Sequence, residues 1–175
     1  MGGYVEEVTL RAPEPEDLGI MMELENSMDL MEVSTSTGPY SRYQLKKYIE
    51  ESQNDVYTDR QLRLMIVHRT EGVVGMVDLC TFDPRHSRAE IGIIVRPDVR
   101  GQKIGSRALA LLEEHCFQVI GIHQLYAYVC EANEASMALF RSMDYEECGN
   151  LRSWVRIGDE YYDVCMFQKL FCGYY

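Results

Sequence analysis

Residues 95–106, Val95-Arg96-Pro97-Asp98-Val99-Arg100-Gly101-Gln102-Lys103-Ile104-Gly105-Ser106, run from an apolar stretch through a glycine-punctuated turn into a helix-forming sequence. Glycines let a backbone approach a ligand closely, and the first N–H groups of a helix lack intrahelical acceptors. Such a turn therefore presents free amides and the positive end of a helix dipole to an anion. Arg100 and Lys103 add two cations. The chemistry expected of Arg100, Gly101, Gln102, Lys103, Ile104, Gly105 and Ser106 is that of a phosphate or pyrophosphate cradle. Its register fits neither common phosphate loop: G-x-x-x-x-G-K-[ST] and G-x-G-x-x-G are both absent, which argues against a P-loop nucleotidase or a dinucleotide-binding Rossmann domain.

Three further sets of residues could do chemistry. Glu90 stands in Ala89-Glu90-Ile91-Gly92-Ile93-Ile94-Val95, an acid in an otherwise apolar strand. On a solvated face it would be unremarkable; in a cleft, desolvation would raise its pKa towards neutrality, which suits a general base. Asn133, ahead of Glu134-Ala135-Ser136, is placed to cap a short helix. Glu25, Asp29 and Glu32 gather carboxylates in the region from Glu23 to Ser41, and carboxylates spaced along a groove would suit the separated ammonium groups of a small cationic amine.

The elements that must position these residues follow from periodicity and punctuation. Val8 to Ala12 reads as a strand. Proline and acids at 13–17 open a helix running to about Met28, and Ser41-Arg42-Tyr43-Gln44 is a capping-box spacing for a second, towards Ser52. Gln61 to Arg69 and Val73 to Leu79 alternate around Glu71-Gly72 as an antiparallel hairpin, and Arg88 to Val95 follows as a strand. A helix from Ile104 to about Ile120, a strand from Gln124 to Val129 and a short helix from Glu134 to Met143 come next. The last hairpin joins Leu151–Ile157 to Tyr161–Phe167. The order β-α-α-β-β-β-α-β-α-β-β is an α+β arrangement: a mixed, mostly antiparallel sheet of about seven strands flanked by about four helices.

Arg100-Gly101-Gln102-Lys103-Ile104-Gly105 resembles the [QR]-x-x-G-x-[GA] loop of the GNAT superfamily of N-acetyltransferases, which wraps the pyrophosphate of acetyl-CoA. Lys103 stands at the family's middle glycine and is read as tolerated: at positive φ it would cost ~1–2 kcal/mol, whereas in right-handed first-turn geometry it costs little and adds charge near the phosphates. The element order also resembles the GNAT fold, from Val8 to Leu170. The resemblance implies that Glu90 assists deprotonation of the incoming ammonium. It implies too that Ile93, Ile94 and Val95 splay from the next strand, with freed backbone groups that bind the thioester and pantetheine arm and stabilise the oxyanion. Asn133 to Tyr145 resembles N-x-x-[AS]-x-x-x-Y-x-x-x-G-[FY], so Asn133, Ser136 and Phe140 fall at cofactor-side positions. Phe140 occupies the place of the tyrosine that protonates the leaving thiolate, and Asp144 that of a glycine. Ser136, matching a serine of the ribosomal-protein acetyltransferase branch, is then the expected substitute, by hydrogen-bonding the thiolate or holding a water. The segment with Glu25, Asp29 and Glu32, together with Tyr161-Tyr162, resembles the spermidine acetyltransferase branch.

Composition narrows the alternatives. At 175 residues, 46% hydrophobic and 26% charged, the chain suits one compact domain spanning 1–175, with no linker or low-complexity stretch. A net charge of -11 and a pI near 4.8 argue against a nucleic-acid partner, since phosphate-backbone binding depends on Lys and Arg. Residues 1–10 carry no basic flank and apolar run, and no stretch approaches the roughly 18 apolar residues of a membrane span. A soluble cytoplasmic protein without a membrane partner is expected. Six cysteines without a C-x-x-C pair read as buried free thiols, and four scattered histidines lack metal-ligand spacing, so no metal is expected. No Cys–His pairing supports a covalent route.

The function expected is acetyl transfer from acetyl-CoA to a primary amine by direct attack, the acceptor being a small cationic amine such as a polyamine. The alternatives are a protein N-terminus as acceptor, as in the ribosomal-protein branch, or a non-catalytic acyl-CoA-binding module. A homodimer is the expected assembly.

Overall fold

The computed structural model describes residues 7–27 and 37–171. Among them, seven strands form one sheet: β1 (Val8–Arg11), β2 (Leu62–His68), β3 (Gly72–Asp83), β4 (Arg88–Val95), β5 (Gln124–Cys130), β6 (Glu146–Ile157) and β7 (Glu160–Leu170). Their spatial order is β1-β2-β3-β4-β5-β7-β6. Every neighbouring pair is antiparallel except β4 and β5, whose connection carries the longest helix, as a parallel crossover requires. Among the described residues five α-helices flank the sheet: α1 (Leu18–Glu25), α2 (Arg42–Glu51), the single turn α3 (Val56–Asp59), α4 (Ile104–His115) and α5 (Glu134–Ser142).

Successive strand residues point to opposite faces, and two cores follow from that alternation. One face packs Ile66, Val77, Leu79, Ala89, Ile91 and Phe167 against Ile104, Ala108, Leu109 and Leu112 of α4. The other packs Met65 and Met76 against Leu18, Met21 and Leu24 of α1 and Leu45 of α2. The α2 start is the capping box read from sequence: the Gln44 N–H donates to Ser41 Oγ at 3.1 Å, and the Ser41 N–H donates to Gln44 Oε1 at 2.8 Å.

Several boundaries differ from the sequence expectation. The first helix does not run from the prolines to Met28. Pro15–Asp17 is a 3₁₀ turn in which Asp17 accepts from Arg11 at 2.6 and 2.9 Å and from the Glu14 N–H at 2.7 Å. At the far end α1 stops at Glu25, and the Asn26 side chain turns to clamp the Tyr40 backbone at 2.8 and 3.0 Å. The long helix is α-helical only to His115, then widens into a π turn over Cys116–Ile120 closed by Gly121 at φ +75°. The turn α3 escapes periodicity analysis because four residues carry no period; Asp55 caps it by accepting from the Tyr57 and Thr58 N–H groups. β3 and the last hairpin are longer than read, since cross-strand pairing continues past the end of the apolar alternation.

Candidate active site

The site begins where β4 and β5 part. Their parallel register covers Arg88↔Gln124, Ala89↔Leu125 and Glu90↔Tyr126 and stops there, while β4 continues beside β3 to Gly75↔Val95 and β5 continues beside β7 to Cys130↔Val164. The ends of β4 and β5 thus form a fork, and the β5-facing peptide groups of residues 91–95 are left out of the ladder. Gly75 makes the close packing under this edge feasible: a Cβ there would lie 2.3 Å from the Ile94 carbonyl oxygen.

The loop after β4 is fastened at both ends. The Arg96 N–H donates to the Val74 carbonyl at 2.8 Å, and Arg100 Nε donates to the Val95 carbonyl at 3.0 Å. Pro97–Val99 forms a 3₁₀ turn with Val99 buried as its anchor, and Gly101 then takes φ +78°. Lys103 is the N-cap of α4 at φ +62°, ψ +13°, in the left-handed region. Of the two conformations weighed from sequence, it is the costlier one. The position does require the conformation that favours glycine, and a lysine adopts it at a cost of about 1–2 kcal/mol. The loop, the β4 end and α5 enclose a cleft of about 660 Å³. Ile93, Ile94, Val95, Arg100, Gly101, Lys103, Ile104, Gly105, Ser106, Asn133 and Ser136 all line it. Gln102 is exposed and lies outside that lining.

Asn133 caps α5, accepting from the Ser136 N–H at 3.1 Å, which holds the Ser136 turn at the cleft wall. Phe140 is different. Its ring is 3% exposed, stacked at 5.6 Å on Phe167 and edge-on at 5.0 Å to Tyr145. The structure therefore places Phe140 in the core rather than on the cleft, because a ring without a hydroxyl loses nothing by full burial between two aromatic partners.

On the α1–α2 face the sheet carries a polar cluster. Arg63 on β2 reaches Glu25 at 2.5 Å and Asp78 at 2.7 and 2.8 Å, with its guanidinium 5.3 Å from the centre of the Tyr48 ring. Burial alone would lower the Arg63 pKa, but the Asp78 and Glu25 carboxylates more than offset it and hold the guanidinium above its ordinary value. These residues and Cys80 line a cavity of about 290 Å³. Glu25, expected from sequence to meet the acceptor, lines this cavity but is 11% exposed and already paired with Arg63. Asp29 and Glu32 lie outside the described residues. Arg63 and Asp78 were missed in the sequence, although a visible signal existed: one cation and one anion interrupt the two apolar strands of a hairpin at positions its register brings opposite.

Glu90 connects the two regions. It is half-buried, faces Cys80 on β3 and Tyr126 on β5, and belongs to the strand that ends in the cleft wall. Burial raises its pKa above the ordinary carboxylate value, and the nearby Thr81 hydroxyl works against that rise. The neighbouring Cys80 thiol is pushed up to about 12 by burial and then by the Asp78 and Glu90 carboxylates, so it is no nucleophile at neutral pH. The fit to a CoA thioester rests on the left-handed and glycine turns that expose amides at the α4 start, Arg100 and Lys103, and an unpaired strand edge beside them.

Comparison with known proteins agrees with this geometry. Residues 7–146 match the model of the acetyltransferase (GNAT) domain. The chain is 29% identical over 168 residues to spermidine N(1)-acetyltransferase of Escherichia coli strain K12, covering 92% of this chain and 86% of that one. Among solved structures, spermidine N-acetyltransferase from Vibrio cholerae in complex with CoA and spermine superposes with a TM-score of 0.84 at 23% identity, covering 94% of this chain and 96% of that one. A dodecameric structure of the Vibrio cholerae enzyme gives 0.79 at 23% identity, with 94% of each chain covered. A fork between two parallel strands, a glycine-containing loop at the start of the following helix and a match over most of the chain lead to one assignment: the chain belongs to the GNAT acetyltransferase family and is an acetyl-CoA-dependent N-acetyltransferase.

Proposed function

We propose that the chain acetylates a small cationic amine of the polyamine type. The observation that carries this reading is the position of Glu90, on the strand that walls the 660 Å³ cleft and opposite Cys80, which lines the acidic cavity. Around that second cavity stand Glu25, Asp78 and Glu90, three carboxylates against the single guanidinium of Arg63, a net charge of -2 with all four ionised. A field of that sign favours an ammonium-bearing acceptor. The spermidine acetyltransferases similar to this chain support the same substrate class.

Acetyl-CoA, when bound, supplies an activated acetyl thioester. In our reading the amides and cations of Arg100 to Ser106 hold its pyrophosphate, and the β4 edge at Ile93 to Val95 orients the arm. Glu90 accepts the proton from the acceptor ammonium, and the acetyl group passes directly to the amine. Ser136, at the cleft wall, hydrogen-bonds the departing thiolate or a water beside it. Self-association, expected as a homodimer, belongs to the same proposal and is read by light scattering. The five free cysteines among the described residues support a reducing, cytoplasmic setting.

The test is release of free CoA across a panel of amines. Spermidine and spermine should be the preferred acceptors, with kcat/KM falling as salt rises because exposed charges are screened over roughly 8–10 Å. Efficient acetylation of a peptide N-terminus with neutral side chains, and none of any diamine or polyamine, would replace the polyamine reading with a protein acceptor.

A further inference from the structure

β3 is irregular at one place, beside Glu90. Leu79 and Phe82 enter the same core although they lie three positions apart, an odd offset that alternation does not allow; the register slips between Cys80 and Asp83. The extra residue is Thr81, at φ +47°, a conformation that a β-branched residue rarely takes. The bulge is pinned on its far side: the Phe82 ring meets Tyr57 edge-on at 5.1 Å, and the Phe82 N–H donates to the Arg60 carbonyl at 3.0 Å. Its effect is to turn the Thr81 hydroxyl back over the sheet, 3.1 Å from Tyr126 Oη, while Tyr126 is itself the register partner of Glu90. Strained backbone held in place by surrounding packing is a mark of positions with a task beyond folding.

We propose that Thr81 is a positioning residue for Glu90, and that Glu90, Thr81 and Tyr126 form a hydrogen-bonded line that fixes the carboxylate at the mouth of the β4–β5 fork. The inference rests on the reading of Glu90 as the base. An ionised carboxylate only accepts, so the Thr81 O–H donates to Glu90 and the Tyr126 O–H donates to Thr81. Hydrogen bonding to the charged form favours that form, which opposes the effect of burial and keeps Glu90 able to take a proton. The other titratable and charged groups around the line are Asp78 and Cys80 from β3, Arg63 from β2, Glu25 from α1, Arg88 from β4 and Tyr128 from β5. Asp78 and Glu25 are engaged by Arg63, Arg88 by Asp83 at 3.3 Å, and Cys80 is neutral.

Two readouts on the intact protein test this: the pH dependence of kcat/KM, and the titration of the Glu90 side-chain carboxyl followed by its ¹³C shift. Thr81→Val keeps the β-branch and removes the hydroxyl. In it Glu90 should titrate at higher pH, and kcat/KM should fall roughly three- to tenfold on the acidic side while approaching the wild-type plateau at high pH. Thr81→Ser should restore both properties. Tyr126→Phe, outside the bulge, should move them in the same direction by less, and keeps the test in hand if the bulge variant does not fold. An unmoved Glu90 titration in folded Thr81→Val and Tyr126→Phe, or an activity loss equal at all pH values, overturns the role of Thr81. A moved titration alongside a Glu90→Gln variant that keeps the wild-type pH profile upholds the Thr81 contact and overturns Glu90 as base.

Discussion

Glu90 and Tyr126 are the last register pair shared by β4 and β5, and the two strands diverge from that pair onwards. The carboxylate is therefore held at the apex of the opening and not along an ordinary strand face. In the proposed reaction this half-buried group takes the proton from an amine held on the α1–α2 side.

Burial raises the Glu90 pKa, and the base form is the ionised one, so activity should fall as pH drops through a value above the ordinary carboxylate range. Glu90→Gln should lose that limb and cut turnover by ~10²-fold at neutral pH, with a smaller deficit at high pH where the free amine dominates. Initial rates of CoA release from pH 6 to 10 measure both effects. An unaltered profile removes Glu90 from proton transfer.

Gly105 has room for a methyl group: its Cβ would meet Leu139 at 3.6 Å and Ile93 at 3.9 Å, ordinary contacts. Gly105→Ala should keep fold and acetyl-CoA affinity within a few-fold. Gly105→Asp should also fold, since an acid suits the first turn of a helix, yet lose acetyl-CoA binding by placing a negative charge against the pyrophosphate. Calorimetric titration of the two variants separates space from charge. At Gly75 space is lacking, and Gly75→Ala should cost about 1–3 kcal/mol in chemical denaturation by pushing on the Ile94 carbonyl.

Lys103 combines a strained backbone with a charge at the cleft. Lys103→Gly relieves the left-handed strain but adds unfolded-state freedom, for a net gain of about 0.5–1 kcal/mol; Lys103→Ala should gain nothing. Both remove the cation and should weaken acetyl-CoA binding by roughly two- to fivefold. Thermal unfolding and calorimetry on the pair distinguish the two contributions. Equal melting behaviour of Gly and Ala variants would show that the lysine pays no conformational cost.

Ser136 should matter for turnover rather than affinity. Its N–H is held by Asn133 whatever its side chain, so Ser136→Ala keeps the α5 cap and should lower kcat by about tenfold with acetyl-CoA affinity retained. Matching losses of affinity and activity would make Ser136 a binding residue and leave thiolate protonation to solvent.

What was legible in the sequence was local. The glycine turn before α4, the capping boxes and caps at Ser41 and Asn133, and the alternation of β2, β3 and β4 each depend on neighbours within a few residues, and each stands in the structure. The seven-strand, mostly antiparallel sheet followed from those elements in order. The tertiary structure decided the rest. Nothing near Lys103 in sequence distinguishes a right-handed from a left-handed start to α4; the loop closure from Val95 to Ile104 does. Phe140 sits at a cofactor-side position by motif, but Phe167 on β7 and Tyr145, just before β6, take its ring into the core. Glu25 reads as an open carboxylate until Arg63, far along the chain, neutralises it. These outcomes are set by loop closure, strand register and side-chain packing in three dimensions, and such pairings leave almost no trace in the spacing of residues along one chain.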